Sequence, residues 1–155
     1  MELSGDELAG IVDQFGGLKE PALQSAIHEA AFRAGADLEA ETIDSWIDDA
    51  HAEFTLLSVE LDDGEYVVPG PRAFPTVPEM ATDLPHVLDV DPVEIPEDRI
   101  ETGIRKKLAA AASRVGDQDR ANELIDVTYD AEAWAGSDLS DVRDRLQAIT
   151  AEQDS

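Results

Sequence analysis

The sequence contains no cysteine and no long apolar run, and both absences narrow what the chain can be. Without cysteine there is no disulfide framework, no thiolate nucleophile and no cysteine-based zinc site. The chain opens Met1-Glu2-Leu3-Ser4 without a basic leader, so we expect neither a secretory signal nor a membrane span. These absences predict a cytoplasmic protein.

Basic side chains are also scarce. Against 36 acidic residues stand 11 basic ones, which gives a net charge of −25, and only three of the bases are lysine. Such a charge repels itself in dilute buffer, whereas at molar salt the Debye length falls to about 3 Å. The acids are spread along the chain, which is typical of a halophilic cytosol. An ordinary acidic protein with a disordered tail is the alternative.

The chain has enough large apolar residues to form a core despite this charge, because Leu, Ile, Val and Phe make up about a quarter of it. Seven of the eight prolines fall between Pro69 and Pro96, where a long helix or a central strand is therefore excluded. We predict an N-terminal lobe over residues 1–68, a connector over 69–96 and a helical lobe over 97–152, together forming one compact unit.

The connector is expected to be extended but docked, with a flexible tether as the alternative. A disordered segment would carry fewer apolar groups. The side chains expected to dock are Phe74, Val77, Met80, Leu84, Val87 and Leu88.

Three helices and a hairpin are predicted in the N-terminal lobe. Ser4 and Glu7 form a capping box for the first helix, and Pro21 suits the first turn of the second. The third spans about residues 39–53. β-Rich segments at 55–61 and 65–68 flank Asp62-Asp63-Gly64, a hairpin turn in which Asp-Gly supplies positive φ. The buried face of the second helix should combine Leu23, Ile27, Ala30, Ala31 and Ala34.

The C-terminal lobe is predicted to hold three helices. The first begins at Pro96-Glu97-Asp98 and ends at Gly116, and Asp117 and Ser137 are expected to cap the second and third. The fold class is therefore mainly α with a small β-hairpin, an α+β arrangement.

The element order in residues 4–68 resembles a winged helix-turn-helix, in which the third helix and the hairpin wing usually meet nucleic acid. Here the third helix carries only acids on its exposed face, and the hairpin tip adds more; the candidate residues are Glu41, Asp44, Asp48, Asp49, Asp62 and Asp63. Affinity for DNA comes largely from neutralising phosphates, so these carboxylates should repel it. We therefore predict a winged-helix relative that contacts proteins, with an unrelated three-helix bundle as the alternative.

Eight of the 11 bases lie in residues 97–155, and Arg105, Lys106 and Lys107 are adjacent. One interpretation is a nucleic-acid or phosphate patch. The other, which we favour, is a solvated helix face that pairs with acids of the N-terminal lobe, because adjacent residues fan around a helix in steps of about 100°.

No pattern in the sequence indicates chemistry at a defined site. His28, His51 and His86 lack zinc-helix spacing, and neither a phosphate-binding loop nor a nucleophile elbow is present. We thus predict no catalytic, cofactor-binding or metal-binding residue. The leading hypothesis is a non-enzymatic protein-interaction or regulatory module with an unknown protein partner. The alternatives are a winged-helix transcriptional regulator that binds DNA and a small enzyme with an unrecognised site.

Four segments carry a further resemblance. They read ELAGIVDQFG at 7–16, VPGPRAFP at 68–75, DLPH at 83–86 and YDAEAW at 129–134. Together they resemble an uncharacterised family of small acidic haloarchaeal proteins. The resemblance implies the type of source organism and assigns no functional residue.

Overall fold

The computed structural model describes residues 3–136 and 138–154, with side chains to residue 151. The described chain is mainly helical with one two-stranded antiparallel hairpin, which confirms the predicted α+β class. It divides between Pro96 and Glu97 into two compact units. Residues 69–96 belong to the first unit, and each unit is described by itself.

The first unit begins with three helices and the hairpin. Its elements are α1 (Gly5–Asp13), α2 (Glu20–Arg33), α3 (Ala40–Ala52), β1 (Leu56–Leu61) and β2 (Gly64–Pro69). The capping box is confirmed: Ser4 Oγ accepts from Glu7 N at 3.2 Å, and Glu7 Oε1 accepts from Ser4 N at 3.1 Å. The apolar stripes of the three helices meet in one core with Leu56 and Val67 of the hairpin.

Leu18, which lies between α1 and α2, forms a β-bridge with the hairpin. Leu18 pairs antiparallel with Val67, donating to its carbonyl at 3.0 Å and accepting from its N–H at 2.6 Å. The connection between the first two helices is thereby attached to β2. This bridge could not be predicted from the sequence, because a single paired residue produces no periodic pattern.

Two local predictions were wrong in this unit. Ala34 is exposed rather than buried, because α2 ends at Arg33 and Gly35 turns the chain with a φ of 73°. The hairpin turn is Asp62-Asp63 alone, since Gly64 already pairs with Leu61.

Residues 70–96 run along the first unit and contain two short helical turns. These are a 3-10 turn (Glu79–Ala81) and α4 (Leu84–Val87), which begins with Pro85 in its first turn. Ala81 and Leu84 are buried, and Met80 and Leu88 pack partly against the core. Phe74, Val77 and Val87, which were expected to dock, are exposed.

Two crossings hold this segment against α1. At the first, Thr76 N donates to Asp6 O at 3.0 Å, and a Cβ on Gly10 would lie only 2.1 Å from Thr76 O. At the second, Val93 N donates to Phe15 O at 2.8 Å. Glycine at position 10 thus permits a backbone approach that no other residue would allow.

The second unit is a three-helix arrangement of α5 (Glu97–Arg114), α6 (Gln118–Ala135) and α7 (Ser140–Asp154). The predicted cap at Asp117 is confirmed, since its Oδ1 accepts from Arg120 N at 2.7 Å. The cap predicted at Ser137 lies outside the described residues. The buried side chains are Ile104, Leu108, Ala112, Ala121, Leu124, Val127, Thr128, Ala131, Leu139, Val142 and Leu146.

Candidate functional site

The acidic face of α3 is open to solvent. Glu41, Asp44, Asp48 and Asp49 are all exposed, while Ile43, Ile47 and Ala50 bury the opposite side of the helix. Asp44 Oδ1 accepts a hydrogen bond from Gln24 Nε2 of α2. Since α3 contains neither lysine nor arginine, the face presents only anionic charge.

The hairpin tip is fixed by two residues that the sequence analysis did not single out. Lys19 Nζ donates to Asp63 O at 3.0 Å and lies 3.9 Å from Asp63 Oδ2. Tyr66 Oη donates to Asp63 Oδ2 at 2.8 Å, and this hydrogen bond raises the pKa of the phenol. Asp62 remains exposed beside them. The tip is therefore anionic and attached through Lys19 to the start of α2.

The three adjacent bases of α5 do not form one cationic patch. Arg105 Nη1 donates to Asp141 Oδ1 at 3.2 Å, so it pairs with an acid of its own unit. Lys106 is exposed, whereas Lys107 is half-buried. Burial, with the charge of Arg120 second, lowers the pKa of Lys107 to about 8. The three side chains thus have three different environments.

A groove of about 520 Å³ lies on the first unit. We call it the α2–α3 groove because it includes the turn that joins α2 to α3; the described residues of α3 itself do not line it. It is formed by α2, the turn that follows α2, and Leu88 at the end of α4. Phe32 stands in it with 78% of its surface exposed. The lining residues are Ser25, His28, Glu29, Ala31, Phe32, Ala36, Asp37, Leu38 and Leu88.

Local structure explains why Phe32 faces outward. The core stripe of α2 consists of Leu23, Ile27 and Ala30, and Phe32 falls outside it. The helix then ends within two residues, and Ala36 N donates back to Ala31 O at 2.8 Å, which folds the turn toward the helix. An aromatic residue outside a clean apolar stripe was the sequence feature that could have indicated this site.

The other wall of the groove depends on how residues 79–88 are held. Gln14 Nε2 donates to Ala81 O at 2.8 Å, and Gln14 Oε1 accepts from Leu84 N at 3.3 Å. Arg33 Nη1 donates to Thr82 O at 2.8 Å. These bonds place α4, and with it Leu88, beside α2. The groove therefore combines side chains about 50 residues apart in the sequence.

The groove offers apolar surface from Phe32, Leu38 and Leu88 beside the carboxylates of Glu29 and Asp37. Among residues 3–136 and 138–151, no group of three His, Asp or Glu side chains could hold a metal ion. Two smaller depressions lie on the second unit, beside Trp134 and beside Arg105, with volumes of about 390 and 290 Å³. Within the described part of the chain, no helix is long and apolar enough to cross a membrane.

Comparison with known proteins places the chain in a family. The sequence profile of a family of unknown function, DUF7109, matches residues 6–151. The chain belongs to DUF7109. The match spans both compact units, so the family is defined by the two together. No curated protein and no solved structure matches this DUF7109 member.

Proposed function

We propose that this chain is a non-enzymatic protein-interaction module that docks a partner protein at the α2–α3 groove. The observation that carries the proposal is Phe32, a large aromatic side chain that is 78% exposed in a groove to which Leu38 and Leu88 also contribute apolar surface. Aromatic residues beside a concave apolar surface are frequent anchors of protein interfaces. Phe74 is exposed to the same degree, so the feature that distinguishes Phe32 is the groove that it lines.

The first unit is proposed to be a winged-helix relative. Its three helices are followed by a hairpin, and the Leu18–Val67 bridge attaches that hairpin to the connection between α1 and α2. The hairpin is thus part of the same small body as the helices, as a wing must be.

The charge distribution favours a protein partner over nucleic acid. The exposed side of α3 and the hairpin tip, where a winged helix would meet DNA, present Asp44, Asp48, Asp49, Asp62 and Asp63. Neutralising phosphates requires cations at these positions. In the α5 cluster, Arg105 is already paired with Asp141.

The proposed setting is the cytoplasm of a haloarchaeon. Acids outnumber bases by 36 to 11, the chain has no cysteine, and arginine outnumbers lysine by eight to three. Screening at molar salt removes most of the repulsion among exposed carboxylates, so a fold with this charge is best suited to brine.

Capture in molar KCl tests the proposal. The tagged wild type, Phe32→Ala and Phe74→Ala would each be incubated with extract of the source organism, cross-linked and analysed by quantitative mass spectrometry. Phe74 is the matched control, because it is 79% exposed and lies away from the groove.

We expect one protein to be recovered with the wild type and with Phe74→Ala, and at least tenfold less of it with Phe32→Ala. Truncation of an anchor residue typically costs about 2 kcal/mol, roughly thirtyfold in affinity. Equal recovery with all three proteins, or recovery of nucleic acid alone, would overturn the proposal.

A further inference from the structure

We infer that the occupant of the α2–α3 groove is a cationic amphipathic helix of the partner protein. This inference rests on the function proposed above and adds the chemistry of the partner. It follows from the shape of the groove wall and from the charges that border it.

The wall formed by α2 suits a helix. Ser25, His28, Glu29 and Phe32 line the groove at positions i, i+3, i+4 and i+7, which is one straight stripe along two turns. The stripe extends for about 10 Å at the helical rise of 1.5 Å per residue. A second helix can lie along such a stripe with its axis about 8–10 Å from that of α2.

An extended segment would gain less from this wall. The backbone groups of α2 at these positions are bonded within the helix, so they offer no ladder of hydrogen bonds to a strand. A helical partner satisfies its own backbone and contributes only side chains. The apolar side chains of Phe32, Leu38 and Leu88 would receive its apolar face.

The border of the groove selects the charge of the occupant. Glu29 and Asp37 line it, and none of the described residues that line it is a lysine or an arginine. Residues 1–96 as a whole hold 22 acids against three bases. An acidic segment would therefore meet like charge at both lining carboxylates, whereas arginine or lysine can pair with them.

High salt restricts this charge selection to pairs in direct contact. At molar salt the Debye length is about 3 Å, so distant charges are screened and only pairs in direct contact contribute. Rejection of a like-charged segment at contact distance by Glu29 and Asp37 therefore contributes to specificity.

Peptide display tests the inference with a defined probe. A random library of peptides about 16 residues long, roughly four helical turns, would be selected in molar KCl on five immobilised proteins. These are the wild type, Phe32→Ala, Phe74→Ala, the double variant Glu29→Gln/Asp37→Asn, and the control Asp89→Asn/Asp91→Asn. Both control aspartates are exposed and lie outside the groove lining. Circular dichroism would establish that each variant folds.

We expect wild-type selection to enrich peptides with apolar residues at helical spacing and with arginine or lysine beside them. Binding of the enriched peptides should fall at least tenfold on Phe32→Ala and on Glu29→Gln/Asp37→Asn, and should be unchanged on the two controls.

The outcomes separate the inference from the function on which it rests. Peptides that depend on Phe32 but lack excess cations, or that bind Glu29→Gln/Asp37→Asn equally well, would overturn the inference and leave the groove as an interaction site. Enrichment that does not depend on Phe32, or no enrichment, would overturn both.

Discussion

Replacing Gly10 by alanine should detach residues 72–77 from α1. A Cβ at this position would lie 2.1 Å from the carbonyl oxygen of Thr76, whereas carbon–oxygen contacts settle at about 3.3–3.6 Å. The backbone at Thr76 must therefore retreat by roughly 1.2 Å. That retreat lengthens the bond from Thr76 N to Asp6 O and the bond from Phe74 N to Asp6 Oδ1, both 3.0 Å in the native fold.

The size of the effect follows from opposing contributions. Each lost hydrogen bond costs about 1 kcal/mol, and forcing an atom into a filled site costs about 1–3 kcal/mol. Alanine stabilises a helix interior by about 1 kcal/mol relative to glycine. With two hydrogen bonds lost, the free energy of unfolding should therefore fall by about 2–4 kcal/mol in total.

Two assays measure this change. Urea unfolding in molar KCl, followed by circular dichroism, gives the loss of stability. Limited trypsin digestion reports the connector directly, because Arg72 is the one base in residues 69–96. Gly116→Ala is the control, since a Cβ at Gly116 would meet no atom within 4 Å. If Gly10→Ala unfolds like the wild type and is cut after Arg72 no faster, the close crossing does not hold the connector.

Three further predictions concern the second unit and the charge of the chain. In urea unfolding, Arg143→Met should destabilise the protein by about 2 kcal/mol, because it leaves the half-buried carboxylate of Glu132 without its cation. Arg120→Met breaks an exposed pair with Glu123 and should cost about 1 kcal/mol or less. Equal losses of stability in the two variants would contradict this prediction. NMR with ¹³C-labelled lysine should resolve three titrations, one of them with a pKa of about 8 for Lys107. This pKa should rise in an Arg120→Gln variant. Three ordinary lysine pKa values would refute the argument from burial. Because the folded pKa of Lys107 lies below its unfolded value, the unfolded chain binds more protons between about pH 8 and 10.5, so this lysine makes stability rise with pH across that window. Finally, dialysis from molar to millimolar KCl should reduce helicity in circular dichroism as screening is lost; full helicity with cooperative melting at low salt would contradict the halophilic interpretation.

Short-range rules predicted much of the fold. The capping box at Ser4 and Glu7 and the cap at Asp117 each depend on residues within three positions of one another, and both form as expected. The buried face predicted for α2 was likewise correct, apart from Ala34. Periodicity and caps are local, so one sequence suffices to recognise them.

Features that depend on contacts between residues distant in the sequence could not be predicted from local patterns. The bridge from Leu18 to Val67 and the attachment of Lys19 to Asp63 join residues more than 40 positions apart. The α2–α3 groove needs Leu88 to lie beside α2, which the hydrogen bonds of Gln14 bring about. The acids of α3 were conspicuous in the sequence. Phe32, the exposed aromatic residue that the proposed function uses, was marked only by its position outside the apolar stripe of α2.

Isothermal titration of the captured partner in molar KCl tests the central claim most directly. Wild type and Phe74→Ala should bind it with the same affinity, and Phe32→Ala should bind it about thirtyfold more weakly, the loss expected for one anchor residue. If all three proteins bind with equal affinity, the partner is not held at the α2–α3 groove.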